Sequence, residues 1–487
     1  MLINNIMKLF VLFLLSCGFL FSCSNNEEIL EIRNSELSTR SAGDGEYDVL
    51  GMGYDVIGEY LHPLSVKNSV LDIRKYKQDH DGRLKTGTPS YGYDKMYSGY
   101  SSTDYVKRVT EESKVKINLH FGSEKDTMAC FTQNITNTFK SEYSRSSKYS
   151  FASLDAIRHL KHIWINDEIS SISQYLSDEF VEDLDRLSAD RLVERYGTHV
   201  LTDFLIGGRY KLMFRSVIVK QMDSITKRNA VESSFGLSLK KIGFSVNVEN
   251  STEINESLAS ENQSKELYVL FYGGTGTNLK YDLEKGMPTI VDVQGWENSV
   301  TLSNANLTAI NWDETYPIYE FIQDPIKKQE IKAAVERHIE QAQLRTLELL
   351  PLYLISSNLA WGSPKDWTTT TFYWESALSK LERIEGYILK EQVEGTIPLY
   401  IYIYLATDGT YTTTKYIPNP PFQTLLGYVY ENSNMIENLC PLYEYFFLYS
   451  TQQQKIHRTT TVSNLPEIDS EWRRDNPLIS GYIYPAD

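Results

Sequence analysis

Residues 351–487 contain one pattern three times, and a threefold repeat leaves a chain few folds to choose from. Pro351-Leu352-Tyr353, Pro398-Leu399-Tyr400 and Pro441-Leu442-Tyr443 each open a unit of about 45 residues. Each unit continues with a threonine run (Thr368 to Thr371, Thr412 to Thr414, Thr459 to Thr461). A glycine-tyrosine strand follows (Gly386-Tyr387-Ile388, Gly427-Tyr428-Val429, Gly481-Tyr482-Ile483). No single unit can bury its apolar face alone, so three packed together are expected to form an all-β body of the β-trefoil type. The recurring Tyr387, Tyr400, Tyr428, Tyr443 and Tyr482 have two readings. They are either receptor-binding rings that stack on sugars or the repeat's own core and turn residues.

The other end of the chain is a targeting segment. Lys8 precedes an apolar run from Leu9 to Phe21, too short for the roughly 20 residues that cross a bilayer as a helix. Residues 1–22 are therefore expected to be a cleaved signal peptide. Leu20-Phe21-Ser22-Cys23 resembles a bacterial lipobox, which implies that Cys23 carries lipid in the mature protein; a plain secretory signal is the alternative. The polar Ser24-Asn25-Asn26-Glu27-Glu28 resembles the export signal of Bacteroidetes surface lipoproteins. It implies an outer-membrane lipoprotein on the cell surface, or one released from it, with residues 23–46 as the tether.

The chain has 48 basic and 64 acidic residues, a net charge of −16, which argues against a nucleic-acid partner. Beyond Cys23 only Cys130 and Cys440 remain, too few for a disulfide framework or a thiolate metal cluster. Asp155, His159 and His162 have a spacing that a metal could use on a helix, but no acidic apolar cleft accompanies them. No metal or cofactor is expected. No pair of carboxylates stands out at a spacing that chemistry would need, so the protein is read as a non-enzyme.

Between the tether and the repeats, residues 47–350 read as one α+β domain. YDVLGMGYDVIGEY, from Tyr47, alternates apolar residues with glycines. Val115, Ile117, Leu119 and Phe121 alternate with polar residues at the strand period, while the residues up to Ser147 suit strands or short amphipathic helices equally. From Tyr149 to Tyr196 helical signals dominate, with Ser177-Asp178-Glu179 as an N-cap and acidic first turn. RYKLMFRSVIVKQM after Gly208 reads as a long strand. Phe235, Leu237 and Leu239, and then Phe244, Val246 and Val248, are apolar at every second position. That is either a strand pair on a soluble sheet or the pattern of transmembrane strands. LYVLFYGGTGT ends a strand at Gly273-Gly274, and Asp324-Pro325 opens a helix with Ile331, Val335, Ile339 and Ala342 on one face.

YGTHVLTDFLIGG, from Tyr196 to Gly208, carries a resemblance to the membrane attack complex/perforin family. Tyr196, Gly197, Thr198, His199, Gly207 and Gly208 match its signature, while Ala189 and Val200 depart from it. Gly273-Gly274 resembles the family's second glycine hinge. The ordered series covers residues 47–349 and implies a bent antiparallel sheet flanked by helical clusters. It also implies that the segments near 113–148 and 223–266 leave the soluble fold as membrane-inserting hairpins, and that subunits assemble as a homo-oligomeric arc or ring. The expected function is an antibacterial pore-forming toxin. The C-terminal domain would bind a surface glycan, lipopolysaccharide or outer-membrane protein of the target. The alternative is a non-lytic adhesin or glycan-binding lipoprotein.

Overall fold

The computed structural model describes residues 47–115, 130–136, 138, 146–218, 220, 222–243, 254–286, 293–344, 346–357, 366–372, 376, 378–404, 409–418, 422–434, 439–449 and 454–486. Cys23 and the tether, Ile117, Leu119 and Phe121, and Phe244, Val246 and Val248 lie outside them. In chain order the first domain gives β1 (Met52–Tyr54), β2 (Val66–Ser69), α1 (Ile73–His80), β3 (Leu84–Gly87), β4 (Gly92–Gly99) and α2 (Ser102–Ser113). Next come β5 (Tyr149–Ile165), α3 (Asp178–Arg186), α4 (Ala189–Tyr196), β6 (His199–Val200), β7 (Asp203–Ile218), α5 (Ser224–Lys241), α6 (Glu256–Ala259) and β8 (Asn262–Tyr272). β9 (Leu279–Asp282), α7 (Val293–Ser299), β10 (Asn306–Ile310), β11 (Tyr316–Pro317) and α8 (Pro325–Gln341) complete it.

Seven strands form the main sheet, in the order β3-β5-β7-β8-β9, with β4 on β5 and β10 on β7. Every pairing in it is antiparallel. β5 and β7, at 17 and 16 residues, are its long central strands. The helical expectation for the stretch after Tyr149 is corrected here, because Tyr149–Ile165 is strand. Ala152, Leu154 and Ala156 are buried on one face and Phe151, Asp155 and Ile157 on the other, which erases the alternation that marks a half-exposed strand. The nearby helices agree with the sequence. Ser177 caps α3 through Phe180 N–H, and Asp324 caps α8 through Ile326 N–H and Lys327 N–H.

A larger correction concerns Phe235, Leu237 and Leu239, which lie on helix α5 rather than on a strand. Asp223 caps the helix at Ile225 N–H and Thr226 N–H, both at 3.0 Å. Val231, Phe235 and Leu239 recur every fourth position and so share a helix face as well as a strand face. That face, with Ile242, packs on Ala152, Leu154, Tyr210, Leu212, Phe214, Leu267 and Val269 of the sheet. Burial against a ready apolar surface decides for the helix.

The repeat domain comprises β12 (Leu349–Ser357), β13 (Asp366–Thr370) and β14 (Ser379–Leu389), then β15 (Thr396–Tyr404), β16 (Gly409–Thr413) and β17 (Phe422–Tyr430). The third unit is β18 (Cys440–Tyr449), β19 (Gln454–Thr460) and β20 (Arg473–Ile483). In each unit the Pro-Leu-Tyr strand lies between the threonine strand and the Gly-Tyr strand. The register repeats residue for residue: Leu352 faces Gly386, Leu399 faces Gly427 and Leu442 faces Gly481. The threonine strands close a ring of hydroxyl-to-carbonyl bonds. Thr369 donates to Thr459 O, Thr459 to Thr412 O and Thr412 to Thr369 O. Leu352, Leu399, Leu442, Ile388, Val429 and Ile483 fill the centre.

Candidate functional site

The Tyr196–His199 tetrad acts first as a staple. Tyr196 ends α4, and its hydroxyl donates to Asp183 Oδ2 at 2.9 Å. Thr198 N–H donates to Tyr54 O at 2.9 Å, while Thr198 Oγ1 accepts from Val56 N–H at 3.1 Å. His199 pairs with Tyr54 on one side and with Pro317 on the other, so β6 joins β1 to β11. All four residues are buried, and the tetrad fixes where the helical flank meets the sheet.

The two glycine pairs, 66 residues apart in the numbering from Gly207 to Gly273, meet in space. Arg209 pairs with Tyr272, and a Cβ on Gly273 would stand 2.7 Å from Gly207 O. Gly273 has φ +74°, and its carbonyl accepts from Trp296 Nε1 at 2.9 Å. The same indole ring lies against Gly208, where a Cβ would come within 2.8 Å of Trp296 Cζ2. Opposite Gly207, β5 carries a bulge between His159 and Lys161. Arg158 locks the strand there, donating to Asp94 Oδ1 at 2.8 Å and Glu297 Oε1 at 2.6 Å. The β5 bulge and the two glycine pairs thus lie at one level of the sheet, clamped by Trp296 and Arg158.

Sequence reasoning missed a buried ionic cluster on the sheet face opposite α5. Glu59, in the loop after β1, accepts from Lys211 Nζ at 3.1 Å and from the Tyr272 hydroxyl at 3.0 Å. Arg209 lies 3.6 Å from Glu59 and 3.7 Å from Asp155, donates to Tyr60 O at 2.6 Å and stacks its guanidinium 4.3 Å from the Tyr272 ring centre. All four charged side chains are at most 5 % exposed. The signal was the alternation of Arg209 and Lys211 with apolar residues along β7, which sequence alone reads as a solvated face.

Burial works to raise the Glu59 carboxyl, but Lys211, His62 and Arg209 outweigh it and hold the group down to about 2. A depressed carboxylate adds stability above its unfolded value and loses it as pH falls from the ordinary range near 4.5 toward about 2. Asp155, which burial raises, has the opposite sign and makes the net slope shallower only above its ordinary value of 3.8. The first domain is therefore expected to melt at falling temperature as pH drops from 5 to 2, with Glu59→Gln flattening that profile. Equal slopes in the parent and in the Gln variant, read by calorimetry, would sink the assignment.

Of the residues read as membrane-inserting, Val115 packs against the main core just beyond α2, while Phe235 and Leu239 are buried and Leu237 is half-buried on α5. Helices α5 and α6 lie between β7 and β8, adjacent strands of the sheet. Among the described residues no helix is long and apolar enough to cross a membrane, which leaves strands untouched.

The repeat tyrosines are not free surface rings. Tyr387 is 5 % exposed and belongs to the packing of the repeat domain, so a receptor contact at that ring is corrected. Tyr428 and Tyr482 pack against the same cluster, and Tyr400 and Tyr443 are half-buried. Lys148, at the end of the first segment, reaches across to this domain. Its Nζ donates to Ala486 O at 2.5 Å and lies 4.8 Å from the Tyr387 ring centre.

The family model described as the MAC/Perforin domain matches residues 41–348. Among solved structures the chain is similar to a protein with a MAC/Perforin domain from Bacteroides thetaiotaomicron VPI-5482, at 18% identity. That match covers 74% of each chain, with a TM-score of 0.48. It is also similar to GNIP1Aa from Chromobacterium piscinae at 15% identity, covering 90% of this chain and 82% of that one, with a TM-score of 0.46. A search of curated proteins gave no match.

Proposed function

The chain belongs to the MAC/Perforin domain family, and from that premise we propose that it is a pore-forming toxin exported as a surface lipoprotein. The carrying observation is helix α5, seated on the sheet between the two adjacent strands that flank it, β7 and β8. Its residues Phe235, Leu237 and Leu239 satisfy the strand period even though they now form a helix. Undocking α5 lets both strands lengthen into one antiparallel hairpin. The segment ending at Lys148 supplies a second, and closure of many such hairpins satisfies every backbone group in lipid.

In this reading Cys23 carries the lipid. The repeat domain, taken as trefoil-like, binds a glycan, lipopolysaccharide or outer-membrane protein on a related bacterium, using the remaining surface of Tyr400, Tyr428, Tyr443 and Tyr482. Subunits then gather into an arc or ring, and the sheet opens about Gly207-Gly208 and Gly273-Gly274. A non-lytic adhesin is the second reading, favoured by the net charge of −16, since like-charged subunits repel when packed side by side.

Dye release from vesicles containing outer-membrane material of related bacteria tests the choice. Phe235 cannot serve as the test position, because it is fully buried and an acidic residue there would unfold the domain. Leu237→Lys is expected to fold and bind but to leak at least tenfold more slowly, since a lysine facing lipid costs about 2–4 kcal/mol at mid-bilayer. A parent protein that binds and never leaks leaves the adhesin reading standing.

A further inference from the structure

The strand registers, carried into the two segments assigned to the membrane, conflict at one place. This inference rests on the pore-forming reading above. Up to the bulge after His159, β4 pairs with β5 and β5 with β7 so that odd-numbered residues face odd, as in Gly99 with Phe151 and Tyr149 with Val217. Odd-numbered side chains of these three strands therefore share one face. The apolar residues of the first segment (Val115, Ile117, Leu119, Phe121) and of the first arm of the second (Phe235, Leu237, Leu239) are all odd-numbered. Those of the last arm (Phe244, Val246, Val248) are even-numbered.

From Arg209 with Tyr272 to Arg215 with Glu266, odd residues of β7 face even residues of β8. Continued into the second segment, this register sets Phe235 opposite Val246 and Leu237 opposite Phe244, and the hairpin turns at Lys240-Lys241. Phe235, Leu237 and Leu239 then share one face with Phe244, Val246 and Val248, as a barrel wall in lipid requires. Beyond Arg215 the register changes: Val217 faces Gln263 and Ile218 faces Asn262, odd with odd and even with even. Carried onward, that register would turn Phe244, Val246 and Val248 toward the aqueous side.

The offset has a definite location. Ser264 and Lys265 in β8 stand against Ser216 alone in β7, and Ser264 has φ +47°, a left-handed conformation that serine seldom holds. Buried Asn262 fixes the end of the bulge. Its Oδ1 accepts from Ser216 Oγ at 2.6 Å, and its Nδ2 donates to Ala230 O of α5 at 3.0 Å and Ala259 O of α6 at 3.2 Å.

We propose that the Ser264 bulge is a register lock on membrane insertion. While α5 and α6 are docked, Asn262 is bonded to both and the bulge is held. When the helices leave, Asn262 loses those acceptors, the bulge is expelled, and the lower part of β8 moves by one residue. Val217 then faces Ser264 and Ile218 faces Gln263.

Two double-cysteine variants in a Cys130→Ala, Cys440→Ala background separate the registers. Val217→Cys with Gln263→Cys is expected to crosslink in solution, to bind vesicles containing outer-membrane material, and to leak at least tenfold less until reduced. Val217→Cys with Ser264→Cys is expected to crosslink only after membrane addition. Ser264→Gly, which holds the left-handed conformation without strain, should melt no lower than the parent and leak roughly fivefold more slowly. Leakage at the parent rate from the oxidised first pair, or no crosslink of the second pair on membranes that the parent permeabilises, overturns the lock and leaves pore formation intact. A parent that fails to leak removes both.

Discussion

Arg209→Met is expected to lower the stability of the first domain by about 3–5 kcal/mol, the cost of leaving buried charges without their partner. Arg209 is 1 % exposed and stands between Glu59 at 3.6 Å and Asp155 at 3.7 Å. Methionine fills part of the volume but restores neither the positive charge nor the hydrogen bond to Tyr60 O at 2.6 Å. Lys211 still reaches Glu59, so Asp155 bears most of the loss. Burial already raises the Asp155 carboxyl, and without Arg209 it is expected to take up a proton, which returns part of the cost. At a few degrees per kcal/mol, a fall in melting temperature on the order of 10 °C should appear in calorimetry. A loss below about 1 kcal/mol would mean that the cluster is open to water, contrary to its burial.

Gly197→Ala is the second large effect. Gly197 has φ +77° and ψ −163°, a region held almost only by glycine that costs an L side chain about 1–3 kcal/mol, and an added Cβ would stand 2.7 Å from both C and O of Tyr54. Those are backbone atoms held by the Thr198 bonds, so nothing nearby can rotate away. The expected loss is about 3 kcal/mol or more, seen as a lower denaturant midpoint at unchanged slope. Gly82→Ala is the matched control, since a Cβ there meets nothing within 4 Å. It should change stability by less than about 0.5 kcal/mol. Comparable losses at both positions would show that the Tyr196–His199 staple is not special.

Much of the fold was legible because the deciding contacts are local in sequence. Ser177 and Asp324 cap the helices they precede and Gly197 ends α4, whereas the repeat was visible as a repeat but not the register that sets Leu352, Leu399 and Leu442 opposite Gly386, Gly427 and Gly481. The glycine pairs were visible as pairs, but not the Trp296 ring that clamps them, because a tryptophan 23 residues beyond Gly273 leaves no trace of where it packs.

Local chemistry, then, was the sequence's own determination: the caps, the helix stops, the threefold repeat and the period of each apolar run. Tertiary structure alone decided which of two compatible periods won. Val231, Phe235 and Leu239 fit a helix and a strand alike, and the apolar face of Leu212, Phe214 and Val269 selected the helix. Tyr149–Ile165 became a strand because both its faces are covered, and Glu59 met Lys211 across 152 positions of chain. Such outcomes depend on desolvation by partners distant in sequence, and a chain read residue by residue carries no record of which partner arrives.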